Sequence, residues 1–482
     1  MARALRRPEA YALGFILAVT AYRVVLHAFN VSDLFVDEAQ YWLWGQDYEW
    51  GYFSKPPLIG WWIRLVTDIA GSAEPFFVRF TAPLLHAVTA LCVMALARRF
   101  WADGHVGAWA GALYISMPLI VLGGQLMTTD TLMLPMIAAG MLFYVGPAQS
   151  GKLWGAAGLG LCFGLACLAK YALFFFVGAL VLAAIFIPQA RLPWRGTALA
   201  VLIFLAVGAG NIWWNVENDL TTARHTLGNA GWDDAELSFD VAGEFLATQF
   251  FAMSPLVLGA LFVAGWLWLR GRGAPRLGFM AMLSLPIIFL ITAQGLTDRA
   301  YGNWAAAGYV TGPIAGAAVL LARRWMLWVS LGFNMLVTLA VPLAFAFPQA
   351  ITFPDGTPLA NRYLGLQALS REIASAADAA GLETIAMQNR DLIADLFYTY
   401  RGGRYGLHAV PRPGPPDNFY EQKHPLPLSR EGDILLVTTS RSDVCAEALL
   451  LDEHVPAFGD KAGKSFFFWR LPPTCLTAPA LF

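Results

Sequence analysis

Apolar runs of membrane-spanning length alternate with short polar connections along most of this chain. A helix needs about 20 mostly apolar residues to cross a bilayer, because hydrocarbon offers its backbone no hydrogen-bond partners. Runs of that kind lie at 10–29, 80–97, 106–123, 131–147, 153–169, 171–188, 197–215, 246–269, 278–295, 303–322 and 326–347. The pattern predicts a polytopic α-helical membrane protein with about 11 transmembrane helices. The tightest connection is at Lys170-Tyr171, where two helices are joined by almost no loop.

Three stretches depart from the pattern: the polar and aromatic segment 30–79, the segment 216–245 with Asn218, Asp219, Asp233, Asp234 and Glu236, and everything from 348 onwards. The last has the composition of a soluble module, with Pro348, Pro354, Pro358 and a Pro/Gly-rich stretch at 411–416. Its periodicity predicts mixed α/β structure: helices near 364–380 and 389–400, and strands at 384–387 and 433–439. The expected organisation is therefore a membrane domain over 1–347 and a small soluble α/β domain over 348–482.

Short cytoplasmic loops retain Lys and Arg, so the basic residues set the orientation. With the N-terminus inside, the inner loops receive Arg3, Arg6 and Arg7; Arg98-Arg99; Lys152; Arg191 and Arg195; Arg270, Arg272 and Arg276; and Arg323-Arg324. Every predicted inner loop carries at least one, and a miscounted helix would reverse all that follow. An odd count places the tail outside, which is the periplasm if the chain sits in a bacterial inner membrane. The basic start and first apolar run also fit a cleavable secretory signal, but the run is close to spanning length and an uncleaved first helix is expected.

Composition agrees: 57% of residues are hydrophobic and only 13% charged, against roughly 25% charged in soluble domains. A soluble enzyme and a disordered chain are both excluded. With 32 basic and 33 acidic residues the chain is near neutral, which argues against nucleic acid as a partner. Five cysteines form neither a disulfide framework nor a zinc motif, although Cys445 and Cys475 both fall in the tail, where an oxidising exterior allows them to pair.

The richest local signal is Asp37-Glu38 in the first external segment, followed by aromatics at Tyr41, Trp42, Trp44, Tyr48, Trp50, Tyr52 and Phe53. Rings at this density suit interfacial helices at headgroup depth. Two adjacent carboxylates beside lipid are costly and suggest a function, yet they can equally cap the N-terminus of the helix they open. Lys55, wedged before Pro56-Pro57, reads either as a cation snorkelling to headgroups or as a fixed partner for a phosphate. Asp130, within Thr128-Thr129-Asp130-Thr131, opens a predicted helix on the same face, as an N-cap or as a substrate-contacting group.

The Asp-Glu pair, the aromatic helix and Gly51-Tyr52-Phe53-Ser54-Lys55-Pro56-Pro57-Leu58 resemble the first external loop of bacterial membrane glycosyltransferases. These are relatives of the dolichyl-phosphate-mannose protein mannosyltransferases, the lipid A aminoarabinose transferase and the lipid A galacturonosyltransferases of rhizobia. The resemblance implies the GT-C fold and sugar transfer, with inversion, from a polyprenyl (undecaprenyl) phosphate donor. It also implies Asp37, with its neighbour Glu38, as the catalytic carboxylate acting on the acceptor hydroxyl, Lys55 as a holder of the donor phosphate, and Asp130 as the second family aspartate. The protein mannosyltransferases carry His where this chain has Lys55, which favours the lipid-modifying branch.

Further external residues extend the candidate site. Lys170 and Arg299 are candidate phosphate partners, and Tyr41, Tyr52, Arg79, Arg224, His225 and Asn303 candidate lining of a substrate cavity. Interfacial anchoring explains each cation singly. The chemistry needs a carboxylate to take a proton from the acceptor and cations to meet charge growing on a departing phosphate. The expected partners are a polyprenyl-phosphate sugar, a lipid A, lipopolysaccharide or related glycan acceptor, and membrane lipids. No cofactor is expected; the carboxylates leave a divalent metal open, but neither a His-rich pattern nor an EF-type loop is present. Protein O-glycosylation with the same donor class is the alternative, and a lipid or solute transporter is disfavoured by the absence of a visible repeat.

Overall fold

A computed structural model of the protein describes residues 7–102, 104–228, 237–427, 429, 431–441 and 444–476. Arg3, Arg6, Asp233, Asp234 and Glu236 lie outside the described residues. All eleven apolar runs fall on helices. Among the described residues, six helical stretches are by length and composition able to cross a membrane, or seven if the bent pair Phe239–Ala252 and Pro255–Leu269 is one span. The outermost are recognisable by what they leave uncovered. Trp194–Glu217 is only 17% buried and exposes Val201, Leu202, Leu205, Ile212 and Trp213, a face that suits lipid tails.

Several runs that read as continuous are broken by proline, which lacks an N–H and pushes the preceding residue out of helical geometry. The 106–123 run divides into His105–Ser116 and Pro118–Gly123, with Met117 extended at ψ 134°. At Ser254-Pro255 the two flanking helices meet at 107°. The 303–322 run begins as a 3-10 helix, Gly302–Val310, and becomes α-helical at Gly312–Leu320. Next to the first break the fully buried Arg23 donates to the Ile115 carbonyl at 2.6 Å, so a cation sits at the C-terminal end of that half-helix.

Beyond the last membrane helix, Arg324–Ala346, the chain forms the expected mixed α/β unit. Its strands are β1 (Thr384–Met387), β2 (Gly406–Ala409), β3 (Ile434–Thr438), β4 (Leu449–His454) and β5 (Phe466–Leu471), in the order β2-β1-β3-β5-β4. β1 runs parallel to β2 and β3, while β5 is antiparallel to β3 and β4. Burial explains the sequence of the central strands: β1 is buried throughout and β3 nearly so, and both are apolar apart from Thr384 and Thr438. Cys445 and Cys475 are joined in a disulfide.

This unit sits on the 30–79 segment. That segment folds as the helix Val36–Trp44, a tight connection, and the helix Leu58–Ala70. Trp42 meets Tyr398 edge-on with ring centroids 5.4 Å apart, and Trp44 meets Phe419 at 5.8 Å. Ion pairs Arg401–Glu74 at 2.7 Å and Lys423–Glu49 at 2.9 Å flank the aromatic contacts.

Candidate active site

Between the α/β unit and the membrane helices lies a chamber of about 980 Å³. Asp37, Glu38, Tyr41, Lys55, Asp130, Lys170, His225, Arg299 and Asn303 all line it, so most of the residues singled out from sequence converge although they span 266 positions from Asp37 to Asn303.

Asp37 and Glu38 are adjacent in the first turn of Val36–Trp44 and have opposite surroundings. Glu38 is 1% exposed and both of its oxygens are occupied. Arg79 pairs with it at 2.6 Å, the Met127 N–H donates to Oε1 at 2.8 Å, and the Phe35 N–H donates to Oε2 at 3.0 Å. Arg79 uses its remaining donors on the Ser32 side chain and on the Ser32 and Asp33 carbonyls. Glu38, expected as a catalytic carboxylate, borders the chamber with both oxygens engaged, and Arg79, expected to line the cavity, lies outside its lining. The two form a buried knot tying the helix Val36–Trp44, the short helix Pro75–Arg79 and the approach to Thr129–Phe143 together. Such a pair is filled before any substrate arrives.

Asp37 is 40% exposed at its side chain and opens into the chamber. Its Oδ1 accepts from Arg390 Nη2 at 2.5 Å, and Arg390 Nε donates to Gln40 Oε1 at 3.0 Å. Oδ2 has no hydrogen-bond partner among the described residues. Arg390 was invisible to sequence reasoning because it lies 353 positions from Asp37, in the unit that carries the weakest motif signal.

Asp130 stands in the first turn of Thr129–Phe143, behind Thr128, whose side chain caps the helix by accepting from the Thr131 N–H. The cap reading for this motif therefore belongs to Thr128. Asp130 instead receives Lys170 at 2.8 Å on both oxygens and Asn303 Nδ2 at 2.8 Å on Oδ2. Lys170, expected to hold phosphate, spends its charge on Asp130.

Lys55 is the contrasting case: it lines the chamber with no side-chain partner among the described residues. Burial and the nearby Lys170 push its ammonium below the ordinary lysine pKa, against the pull of Asp37 and Asp130. An anion placed here would relieve both penalties. His225, on the Thr221–Gly228 helix, faces the same space with its imidazole lowered to about 4 by burial, Lys55 and Arg390, so it is neutral near pH 7. Arg299 reaches the chamber with only a loose 3.8 Å contact to Asp298. Arg362, not anticipated from sequence, lines it over the Phe35 ring at 5.1 Å.

Two other expectations fail on position. Tyr52 is 2% exposed, stacked on Trp44 at 4.8 Å with its hydroxyl donating to the Trp44 and Asp47 carbonyls, so it supports the wall from behind. Arg224 is exposed and outside the chamber lining. Among the described residues no group of three or more His, Cys, Asp or Glu is arranged to hold a metal ion.

Comparison with known proteins follows the same outline. Residues 54–214 match the dolichyl-phosphate-mannose-protein mannosyltransferase family. The chain is 38% identical over 467 residues to the lipid A galacturonosyltransferase RgtD of Rhizobium johnstonii, covering 96% of this chain and 98% of that one. Over 117 residues it is 35% identical to an undecaprenyl phosphate-alpha-4-amino-4-deoxy-L-arabinose arabinosyl transferase of Sodalis glossinidius, covering 24% and 21% of the two chains. Among solved structures, ArnT from Cupriavidus metallidurans in the apo state superposes with a TM-score of 0.66 at 14% identity, covering 95% of this chain and 98% of that one. The same protein bound to undecaprenyl phosphate gives a TM-score of 0.64. The chain is therefore a multi-pass membrane protein with the GT-C fold, and it belongs to the protein-mannosyltransferase-like membrane glycosyltransferases, together with lipid A galacturonosyltransferase.

Proposed function

We propose that this protein transfers a sugar from a polyprenyl phosphate to lipid A or a related envelope glycan, on the periplasmic side of a bacterial inner membrane. The observation that carries the reading is a chamber holding a carboxylate with one free oxygen, Asp37, and a cation without a side-chain partner, Lys55. End-to-end similarity to a lipid A galacturonosyltransferase supports the acceptor class, and the basic inner loops support the orientation.

The step follows from these residues. The acceptor hydroxyl gives its proton to Asp37 as its oxygen attacks C1 of the sugar. The C1–O bond to the carrier breaks on the opposite face with inversion, and its electron pair leaves with the phosphate, where Lys55 meets the growing charge. Asp130, held by Lys170 and Asn303, presents fixed polar groups to the sugar across the chamber.

Reconstitution in vesicles with polyprenyl-phosphate sugars and lipid A, read by mass spectrometry of the lipids, tests the reading. Wild-type protein is expected to add a sugar to lipid A, Asp37→Asn to abolish addition while staying folded, and Lys55→Ala to raise the donor KM. Full activity in Asp37→Asn, or sugar found on exported protein rather than lipid, overturns it.

A further inference from the structure

The chamber is made by two parts of the chain distant in sequence, and Arg390 is where they meet at the reacting group. It opens the helix Arg390–Thr399, directly after the central parallel strand β1. Asn389 caps that helix, accepting from the Asp391 and Leu392 N–H groups at 3.0 and 3.2 Å. Ligands of open α/β sheets gather beyond the carboxyl ends of parallel strands, where the backbone is held by the sheet. The turn after β1 delivers Arg390 and Asp391 to the chamber, and the segment after β2 delivers Asp417, Asn418 and Phe419.

The guanidinium spans two side chains one turn apart on Val36–Trp44: Nη2 on Asp37 and Nε on Gln40, whose side chain is buried. Fixing one carboxylate oxygen in this way leaves the other as the open position for an incoming proton. A planar fork can do this and an ammonium can satisfy only part of it, because lysine is a point charge.

We infer that Arg390 is a positioning residue for Asp37: it holds Oδ1 against Gln40 so that Oδ2 faces the acceptor hydroxyl, and the α/β unit thereby completes the active site. The inference rests on the function proposed above. No bond to Arg390 is made or broken; the proton passes from acceptor oxygen to Asp37 Oδ2 while the C1–phosphate bond breaks.

The test uses the full chain in vesicles. Arg390→Ala is expected to lower kcat for transfer about 100-fold, the scale of a base misplaced by about 1 Å, with donor KM within about twofold of wild type, since Lys55 is untouched. Arg390→Lys recovers part of kcat, and added methylguanidinium restores Arg390→Ala but not Asp37→Asn. A general structural role moves the melting temperature but predicts neither the kcat-against-KM split nor chemical rescue. Unchanged kcat in Arg390→Ala overturns the inference, as does a loss that neither lysine nor methylguanidinium repairs. If Arg390→Ala does not fold, Arg390→Lys decides: wild-type kcat contradicts the two-pronged contact, and a selective kcat loss supports it. Wild-type protein assayed in parallel separates the two ideas, because absent wild-type transfer counts against the proposed function, whereas normal transfer by the variant counts only against positioning.

Discussion

Asp37 and Glu38 differ by one position and by nearly everything else. Consecutive helical residues point about 100° apart, so Asp37 opens into the chamber while Glu38, at its edge, turns its carboxylate onto Arg79. Composition and motif brought attention to both, but nothing local distinguishes them; the discriminating groups, Arg79 and Arg390, come from elsewhere in the chain. Lys55 and Asp130 were legible because charged residues on the outer face of the membrane helices are few, whereas the pairing of Lys170 with Asp130 depends on how two helices approach. Glu38→Gln leaves Arg79 buried opposite a neutral group and is expected to cost about 3–5 kcal/mol, lowering the melting temperature in detergent and the yield from membranes. Asp37→Asn, at a half-exposed pair, changes stability by about 1 kcal/mol or less. Equal melting of Glu38→Gln and wild type contradicts the buried knot.

At the scale of elements, the connection bearing Lys55 is fixed by the helices Trp194–Glu217 and Thr221–Gly228. Asn211 Nδ2 donates to the Trp50 carbonyl at 2.7 Å, Trp214 Nε1 to Glu49 at 2.9 Å, and Thr222 Oγ1 to the Tyr52 carbonyl at 2.6 Å. Two glycines permit the approach: a Cβ on Gly210 collides with the Trp50 ring, and one on Gly51 with the Trp214 ring. Gly210→Val is thus expected to displace the connection and raise the donor KM about tenfold, the equivalent of about 1.4 kcal/mol. An unaltered KM shows that the loop holds Lys55 without this contact. The helices themselves were readable from hydropathy, and the tail's strands from their apolar runs. The interruptions at Pro118 and Pro255 were not, because averaging over an apolar window hides a single residue that ends a helix.

For the molecule as a whole, the seam between its two parts contains an acid in an unusual state. Asp395 is 2% exposed, accepts from Ser370 Oγ at 2.6 Å and Thr399 Oγ1 at 3.0 Å, and is raised to about 7 by burial, with Asp33 adding repulsion from the first external segment. Because the folded state holds this proton more tightly than the unfolded chain, the stability it contributes is complete below about pH 4 and is lost as pH rises to about 7. The slope across that window is about 1.4 kcal/mol per pH unit. Thermal melting between pH 4 and 8 is expected to show the decline in wild type and a flatter profile in Asp395→Asn. Identical profiles locate the pH sensitivity elsewhere. None of this was legible in sequence, where Asp395 is one carboxylate in an amphipathic helix.

The ion pair between Asp37 and Arg390 also has a meaning for biosynthesis. The ribosome releases Asp37 when most of the chain has yet to be made, and Arg390 follows 353 residues later. Folding proceeds from the N-terminus as synthesis advances, so the early membrane helices insert while Asp37 still lacks its partner Arg390. A chain that stops short of β1 carries Asp37 and Lys55 without the guanidinium of Arg390. On the mechanism proposed above, donor lipid is then guarded against half-made enzyme, and activity requires that synthesis has passed Arg390.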